Sequence, residues 1–219
     1  DVNTSCVVDT GVVTLDLIVN PLPSPILPTP LEICDIDNDG FGAFTLTDKD
    51  IEIIGGEPGV IVSYHETLSD AQNNIFPIGS PYQNIVADLQ FVYARATYDD
   101  VPPALGTGCW RVVKLELVVN PTPIVPIDLE PIIACDSDMD GFELFDLTQR
   151  AADIYGTQDV SQYVLSYYLS EVAATAGTPS IASPNTFTYT ITPLQTIWIR
   201  LENIDSGCFK LGSFDIQVV

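Results

Sequence analysis

Cys34-Asp35-Ile36-Asp37-Asn38-Asp39-Gly40-Phe41-Gly42 and Cys135-Asp136-Ser137-Asp138-Met139-Asp140-Gly141-Phe142-Glu143 are two settings of one acidic loop, 101 positions apart. The echo runs on from there. Ser63-Tyr64 matches Ser166-Tyr167, Leu89-Gln90 matches Leu194-Gln195, Arg95 matches Arg200, and Cys109-Trp110 matches Cys208-Phe209. A period near one hundred residues is too long for a solenoid unit that borrows its neighbour's core. It suits a self-sufficient β-sandwich. A third, partial copy stands in front: Cys6 precedes Leu15-Asp16-Leu17-Ile18-Val19-Asn20-Pro21, as Cys109 precedes Leu115-Glu116-Leu117-Val118-Val119-Asn120-Pro121. The expected organisation is the end of a preceding module (1–20), a Pro-rich linker (21–33), a first repeat (34–120), a second linker (121–134) and a second repeat (135–219). A pattern that starts and stops mid-repeat is expected of a piece of a longer array.

Inside the repeats the apolar period is two, the signature of strands. Val113, Leu115, Leu117 and Val119 alternate with Lys114, Glu116 and Val118, and Phe214, Ile216 and Val218 alternate with Ser213, Asp215 and Gln217. Further strands are expected over 41–47, 60–64 and 91–97, and over 142–147, 164–169 and 196–201, with Pro, Gly, Asn and Ser clusters between them. The Ala-rich stretch 171–177 reads as a helical turn. The fold class is all-β, two immunoglobulin-like Greek-key sandwiches in tandem. The linkers, with prolines at positions 21, 23, 25, 28 and 30 and again at 121, 123 and 126, read as extended, stiff spacers whose last residues can lie on a sheet edge.

A formal charge of −23 on 219 residues excludes nucleic acid and anionic membrane surfaces as partners. No apolar run reaches the ~18 residues that span a bilayer, so membrane insertion is not expected. With 46% hydrophobic residues the chain can build real cores. Such a charge resists compaction unless cations neutralise part of it.

Five cysteines sit at equivalent places: Cys34 and Cys135 before the acidic loops, Cys109 and Cys208 opening the last strands, and Cys6 in the partial copy. Pairing within repeats gives Cys34–Cys109 and Cys135–Cys208; pairing across them gives Cys6–Cys34 and Cys109–Cys135. First and last strands of an immunoglobulin-like module run side by side in one direction, so their beginnings are expected to share an end. Cys109 and Cys135 would then lie at opposite ends of a strand, more than ~30 Å apart at ~3.3 Å per residue, far beyond disulfide reach. Pairing within repeats is therefore expected, in an oxidising compartment.

Asp35, Asp37 and Asp39 before Gly40, and Asp136, Asp138 and Asp140 before Gly141, place carboxylates at alternate positions of a tight turn. Hard oxygens in that arrangement suit Ca²⁺, with the carbonyls of Phe41 and Phe142 as further ligands. The Glu that closes an EF-hand is absent, Leu46 and Leu147 standing in its place, so Asp48, Asp146, Glu32, Glu130 or water would complete the shell. An acidic turn with local hydrogen bonds is the plainer reading; its recurrence beside a cysteine in both repeats favours calcium. The expected role is rigidity at the joint between modules.

Catalysis finds little footing. His65 is the only histidine and reads as a surface strand residue. Glu66 and Asp70 resemble a glycosidase pair, but the second repeat offers only Glu171 nearby. Arg95 and Arg200 are expected to pair with carboxylates on a sheet face. Trp110 and Tyr98 suggest a sugar platform, yet Phe209 replaces Trp110 and packing explains both. Asn3-Thr4-Ser5 matches a glycosylation sequon. No enzyme is expected.

With these motifs in place, the chain resembles the repeats of giant cell-surface adhesins of gliding Bacteroidota, of the SprB type. The resemblance rests on Cys-Asp-x-Asp-x-Asp-Gly-Phe, Phe-x-Leu-Thr (Phe44–Thr47, Phe145–Thr148), Leu-Gln-x-x-Tyr/Trp-x-Arg, Gly-Cys and Leu-x-Val-Asn-Pro-x-Pro, and it covers essentially the whole chain. It implies export by the type IX secretion system, carriage by the gliding machinery, and a non-enzymatic stalk or adhesive array gripping a substratum or surface polysaccharide, with neighbouring repeats as partners. The departures are Thr45 where the second repeat has Asp146, and no export domain. The alternative is a pair of carbohydrate-binding modules from a polysaccharide-degrading protein.

Overall fold

A computed structural model describes residues 19–99, 107–136, 139, 142–188 and 194–219. The first repeat runs β1 (Leu31–Asp35), β2 (Ala43–Phe44), α1 (Asp50–Ile54), β3 (Val60–His65), α2 (Leu68–Asn73), β4 (Tyr82–Gln83), β5 (Leu89–Tyr98) and β6 (Trp110–Pro121). The second repeats the order: β7 (Ile132–Ala134), β8 (Leu144–Phe145), α3 (Ala151–Tyr155), β9 (Tyr163–Tyr168), α4 (Glu171–Ala176), β10 (Phe187–Thr188), β11 (Leu194–Asn203) and β12 (Phe209–Val218). Each repeat is an immunoglobulin-like sandwich. A four-stranded sheet, β1-β6-β5-β3 or β7-β12-β11-β9, is joined by a two-stranded one, β2-β4 or β8-β10.

The period-two segments become the long strands because alternate side chains reach one face. Leu115, Leu117 and Val119 of β6 are buried, as are Ile197, Ile199 and Leu201 of β11 and Phe214 and Ile216 of β12. Fully burying each such side chain stabilises the fold by roughly 1.5–3 kcal/mol. The expected strands at 41–47 and 142–147 shrink to two residues each. Leu46 and Leu147, both fully buried, open 3-10 turns that lead into α1 and α3. The apolar residues there alternate like a strand but serve a helical turn. The turn at 171–177 is α4, with Ser170 capping Ala173 N–H and Gly177 closing it at φ 72. Its twin α2, not expected from the sequence pattern, is capped by Thr67, whose Oγ1 accepts the Asp70 amide and donates to the Asp70 carboxylate.

The chain folds as two compact units. One holds Asp1–Pro28, Asp48–Ile78 and Tyr93–Lys114; the other holds Thr29–Thr47, Gly79–Val92 and Leu115–Val219. In the first, Ile53, Tyr64, Ala71, Ala94 and Ala96 are buried. In the second, Phe145, Leu147, Ile154, Tyr167, Ile197, Ile199, Leu201, Phe214 and Ile216 form one core. The linkers are not free spacers. Ile26 N–H donates to Ile53 O at 2.9 Å, while Val125 and Leu129 pack on the core of the second unit.

The register of the first strand corrects the expected cysteine pairing. β1 runs parallel to β6, as anticipated, but it pairs only with its far half: Leu31 lies opposite Leu117 and Cys34 opposite Asn120. Their beginnings do not share an end. Cys109 precedes β6, eleven strand positions before Asn120, about 36 Å at the usual rise. The second repeat does the same, with Ala134 opposite Val218 of β12 and Cys208 just before that strand. Neither Cys34–Cys109 nor Cys135–Cys208 forms. The bond is Cys34–Cys208, with Cα atoms 5.5 Å apart and a sequence separation of 174. Cys109 and Cys135 are free.

Candidate functional site

The acidic loop leaves β1 directly after Cys34. Asp35 is only 3% exposed, and its carboxylate accepts the Asn38 and Gly40 amides, one on each oxygen, both at 2.7 Å. Asp39 Oδ1 accepts the Phe41 amide at 2.8 Å. The turn needs left-handed backbone at Asn38 (φ 58) and Gly40 (φ 83). A Cβ on Gly40 would come within 2.8 Å of the Ala87 Cβ, so glycine is required there on both counts. One carboxylate oxygen from each of Asp35, Asp37 and Asp39 falls within 4.8 Å of the others.

The charges feel one another. Burial pushes the Asp35 carboxyl up, but the amides of Gly40 and Asn38 outweigh it and hold the group below its usual range. Asp37 is raised, first by its hydrogen bond to Asp35 and then by the charge of Asp39. The backbone amides of Asn38, Gly40 and Phe41, not attraction between the carboxylates, hold this acidic cluster together.

Asn84, 2% exposed, fastens the loop from β4's end. Its Nδ2 donates to Gly40 O and Val86 O at 2.9 and 2.8 Å, and its Oδ1 accepts the Gly42 amide at 2.7 Å. No motif in the sequence marks it. Gln90, in contrast, belongs to the repeated Leu-Gln: its Oε1 accepts the Ile85 and Val86 amides at 2.6 and 3.0 Å. On its other flank the loop grips the strand leaving the repeat. Asn38 exchanges two hydrogen bonds with the Thr122 backbone, at 2.9 and 3.2 Å, and Thr122 Oγ1 donates to Asp35 O at 2.8 Å. The contact is with the segment that leaves the repeat, at Thr122.

In the second loop, Asp136 donates its amide to Val219 O at 3.0 Å, Met139 adopts φ 58 as Asn38 does, and Phe142 is 53% exposed. Asp138 and Asp140 lie outside the described residues, as do Cys6 and the Asn3 sequon.

The remaining candidates have structural roles. His65 is fully buried rather than a surface residue; its Nδ1 lies 2.8 Å from Ile75 O and donates to it, leaving Nε2 to accept from Ser63 Oγ at 3.0 Å. The Asp70 carboxylate accepts the hydroxyl of Thr67, the N-cap of α2. Arg95 and Arg200 do not simply meet carboxylates. Each Nη1 donates to the last carbonyls of the preceding helix, Ala71 and Gln72 or Ala174 and Thr175, complementing the negative helix end. Each guanidinium also covers a ring, Trp110 at 4.2 Å or Phe209 at 3.3 Å. Among the described residues only Arg200 adds an ion pair, with Glu202 at 2.6 Å. Trp110 is thereby occupied, and Tyr98 hydrogen-bonds Glu57.

Among the described residues no helix is long and apolar enough to cross a membrane. Comparison with protein families gives a match over residues 30–123 and again over 131–219, to the family described as the Flavobacterium inter-domain disulphide bond domain. No curated protein matches the chain. Among solved structures, an I-band fragment of titin (I67–I69) is 9% identical with a TM-score of 0.30, covering 89% of this chain and 63% of its own. The cadherin-like domains of zebrafish RET are 8% identical at 0.25, over 73% of this chain and 38% of theirs. Drosophila N-cadherin EC1–4 is 9% identical at 0.24, over 76% and 42%. The chain thus spans under two thirds of the length of each of these three structures.

Proposed function

The chain belongs to the Flavobacterium inter-domain disulphide bond domain family, and from that premise we propose that it is a calcium-stiffened stretch of a secreted cell-surface adhesin, a stalk or adhesive array for attachment and gliding. Structural disulfides persist in oxidising compartments, in keeping with an extracellular chain. One observation carries the reading. The cysteine that joins the first repeat to the second is followed at once by the acidic loop, and that loop holds the exiting strand through Asn38 and Thr122. An ion in the loop would act on the same joint as the covalent bond.

Three carboxylate oxygens within 4.8 Å suit a common Ca²⁺, whose oxygen ligands sit at about 2.3–2.6 Å from the metal. Asp35, Asp37 and Asp39 would hold it, with the Phe41 carbonyl as a further ligand; Asp136, Asp138, Asp140 and Phe142 would do so in the second repeat. The cation would relieve the repulsion that raises Asp37. In this reading the function is non-enzymatic, and the single histidine, His65, is engaged by Ser63 and Ile75. The resemblance to gliding adhesins adds type IX export, the gliding machinery and a polysaccharide or solid substratum as partners.

Calcium titration with melting and small-angle scattering tests this. Extracellular modules bind Ca²⁺ with dissociation constants of about 10⁻⁴–10⁻³ M, and a ten- to hundredfold excess would stabilise by roughly 1.4–2.7 kcal/mol. Chelation should lower the melting temperature and broaden the scattering-derived distance distribution, and Asp37→Asn with Asp39→Asn should mimic it in the first repeat. Unchanged melting and scattering on chelation would leave both loops as ordinary acidic turns.

A further inference from the structure

A cleft of about 400 Å³ lies within the second compact unit, between β1, the end of β6 and the β11–β12 turn. Glu32, Asn120, Pro121, Asn203, Asp205 and Ser206 line it. Glu32 stands two residues before Cys34, and Ser206 two before Cys208, so the disulfide between those cysteines holds both walls.

The lining is polar and fixed in place. Asn120 Nδ2 donates to Glu32 Oε2 at 2.8 Å, which sets one wall. Asn203 Oδ1 accepts the Asp205 and Ser206 amides, both at 3.0 Å, and the Asn203 amide donates to Cys208 O at 2.8 Å, which sets the other. These bonds leave particular groups over. Glu32 Oε1, Asn120 Oδ1 and the Asp205 carboxylate remain as acceptors. Asn203 Nδ2 remains as a donor, as does the Ser206 hydroxyl, whose oxygen accepts the Cys208 amide at 3.3 Å. Pro121 adds a short apolar face.

Size and chemistry together select the ligand. The volume falls within the roughly 300–1,000 Å³ of small-molecule sites. Apart from the Pro121 ring the lining side chains are polar, so an apolar ligand gains little there. Acceptors and donors side by side match a row of hydroxyls, each of which both gives and takes a hydrogen bond. A hydroxyl that donates to a carboxylate makes a charge-assisted bond, about twice as strong as a neutral one. Glu32 and Asp205, in a chain of net charge −23, repel carboxylated or sulfated sugars. We propose that this cleft binds a hexose unit of a neutral polysaccharide. The Glu32 and Asp205 carboxylates accept its hydroxyls, and Asn203 Nδ2 donates to one. The inference rests on the surface-attachment reading above and gives it a point of contact with polysaccharide. Calcium takes no part, since no carboxylate of the acidic loop lines the cleft.

Native electrophoresis of the oxidised 219-residue chain, through gels containing galactomannan, dextran or arabinogalactan, tests this, with alginate as the anionic control. At least one neutral polysaccharide should retard the chain, its free constituent sugars should reverse the retardation, and alginate should cause none. Glu32 and Asp205 are exposed, so Glu32→Ala and Asp205→Ala should keep the parent melting temperature. Each should weaken binding at least about tenfold, the loss of a hydrogen bond to a charged group. Asp128→Ala, an equal change of charge outside the cleft, should leave binding unchanged. Retardation by none of the three neutral polysaccharides overturns the proposal. So does equal retardation by alginate, full binding by both cleft variants, or loss of binding in chelator, which would mean that the sugar is held through an ion. A chain that responds to calcium but holds no sugar sinks this cleft and leaves the stalk standing. One that holds sugar without responding to calcium does the reverse.

Discussion

Held by its two ends and pulled, the oxidised chain should stop extending far short of its full length. Cys34–Cys208 encloses a loop with a sequence separation of 174. At about 3.3–3.6 Å per extended residue that loop hides roughly 600 Å. Only the stretches before Cys34 and after Cys208 remain to lengthen, about 150 Å in all. Single-molecule force spectroscopy in the absence of reductant should therefore show one short extension to a stiff limit. With reductant, or in Cys208→Ser, unfolding of both repeats should release the hidden length in steps. The same bond should raise equilibrium stability: a loop of this size corresponds to roughly 5 kcal/mol in the chain-entropy model, read as a denaturation midpoint that falls on reduction. An oxidised chain that extends as far as the reduced one would refute the reasoning.

Three further outcomes follow from named contacts. Gly40→Ala forces a Cβ against Ala87 and Asp88 at φ 83 and should cost about 1–3 kcal/mol in urea unfolding, whereas Gly56→Ala, also at positive φ but with open space around it, should cost less. Arg95→Ala strips the partner from Ala71 O and Gln72 O and uncovers Trp110; a loss of about 2–3 kcal/mol is expected, and a loss below about 0.5 kcal/mol would contradict the helix-end role. Glu57 is held below its usual range, first by the Tyr98 hydroxyl and then by the Ser24 amide. Its stabilisation is therefore full above the unfolded carboxylate value of 4.5 and lost as pH falls through the lower folded value, so Glu57→Gln should flatten the melting temperature between pH 5 and 2.

Much of the fold was legible because it is periodic. Alternation in β6 and β12 marked the long strands, and the paired Arg95 and Arg200 marked a repeated contact, although not its partner. What escaped was register. Nothing in Leu31–Asp35 says that it lies beside the second half of β6 rather than the first, and that one offset decides which cysteines meet. Short helices escaped because five or six residues carry too little period to read, though Thr67 was available as an N-cap. His65 escaped because a histidine's burial depends on a distant carbonyl, here Ile75 O. The acidic loop was visible as a motif, but its grip on Thr122 lies 84 positions away and has no local signal.

A non-reducing peptide map of the chain bears most directly on the central claim, that one repeat is bolted to the next. Digestion after blocking free thiols should release a peptide pair joined through Cys34 and Cys208, with Cys109 and Cys135 alkylated. A map showing Cys34 joined to Cys109, or Cys135 joined to Cys208, would contradict the register of β1 on β6 and the bolted array built on it.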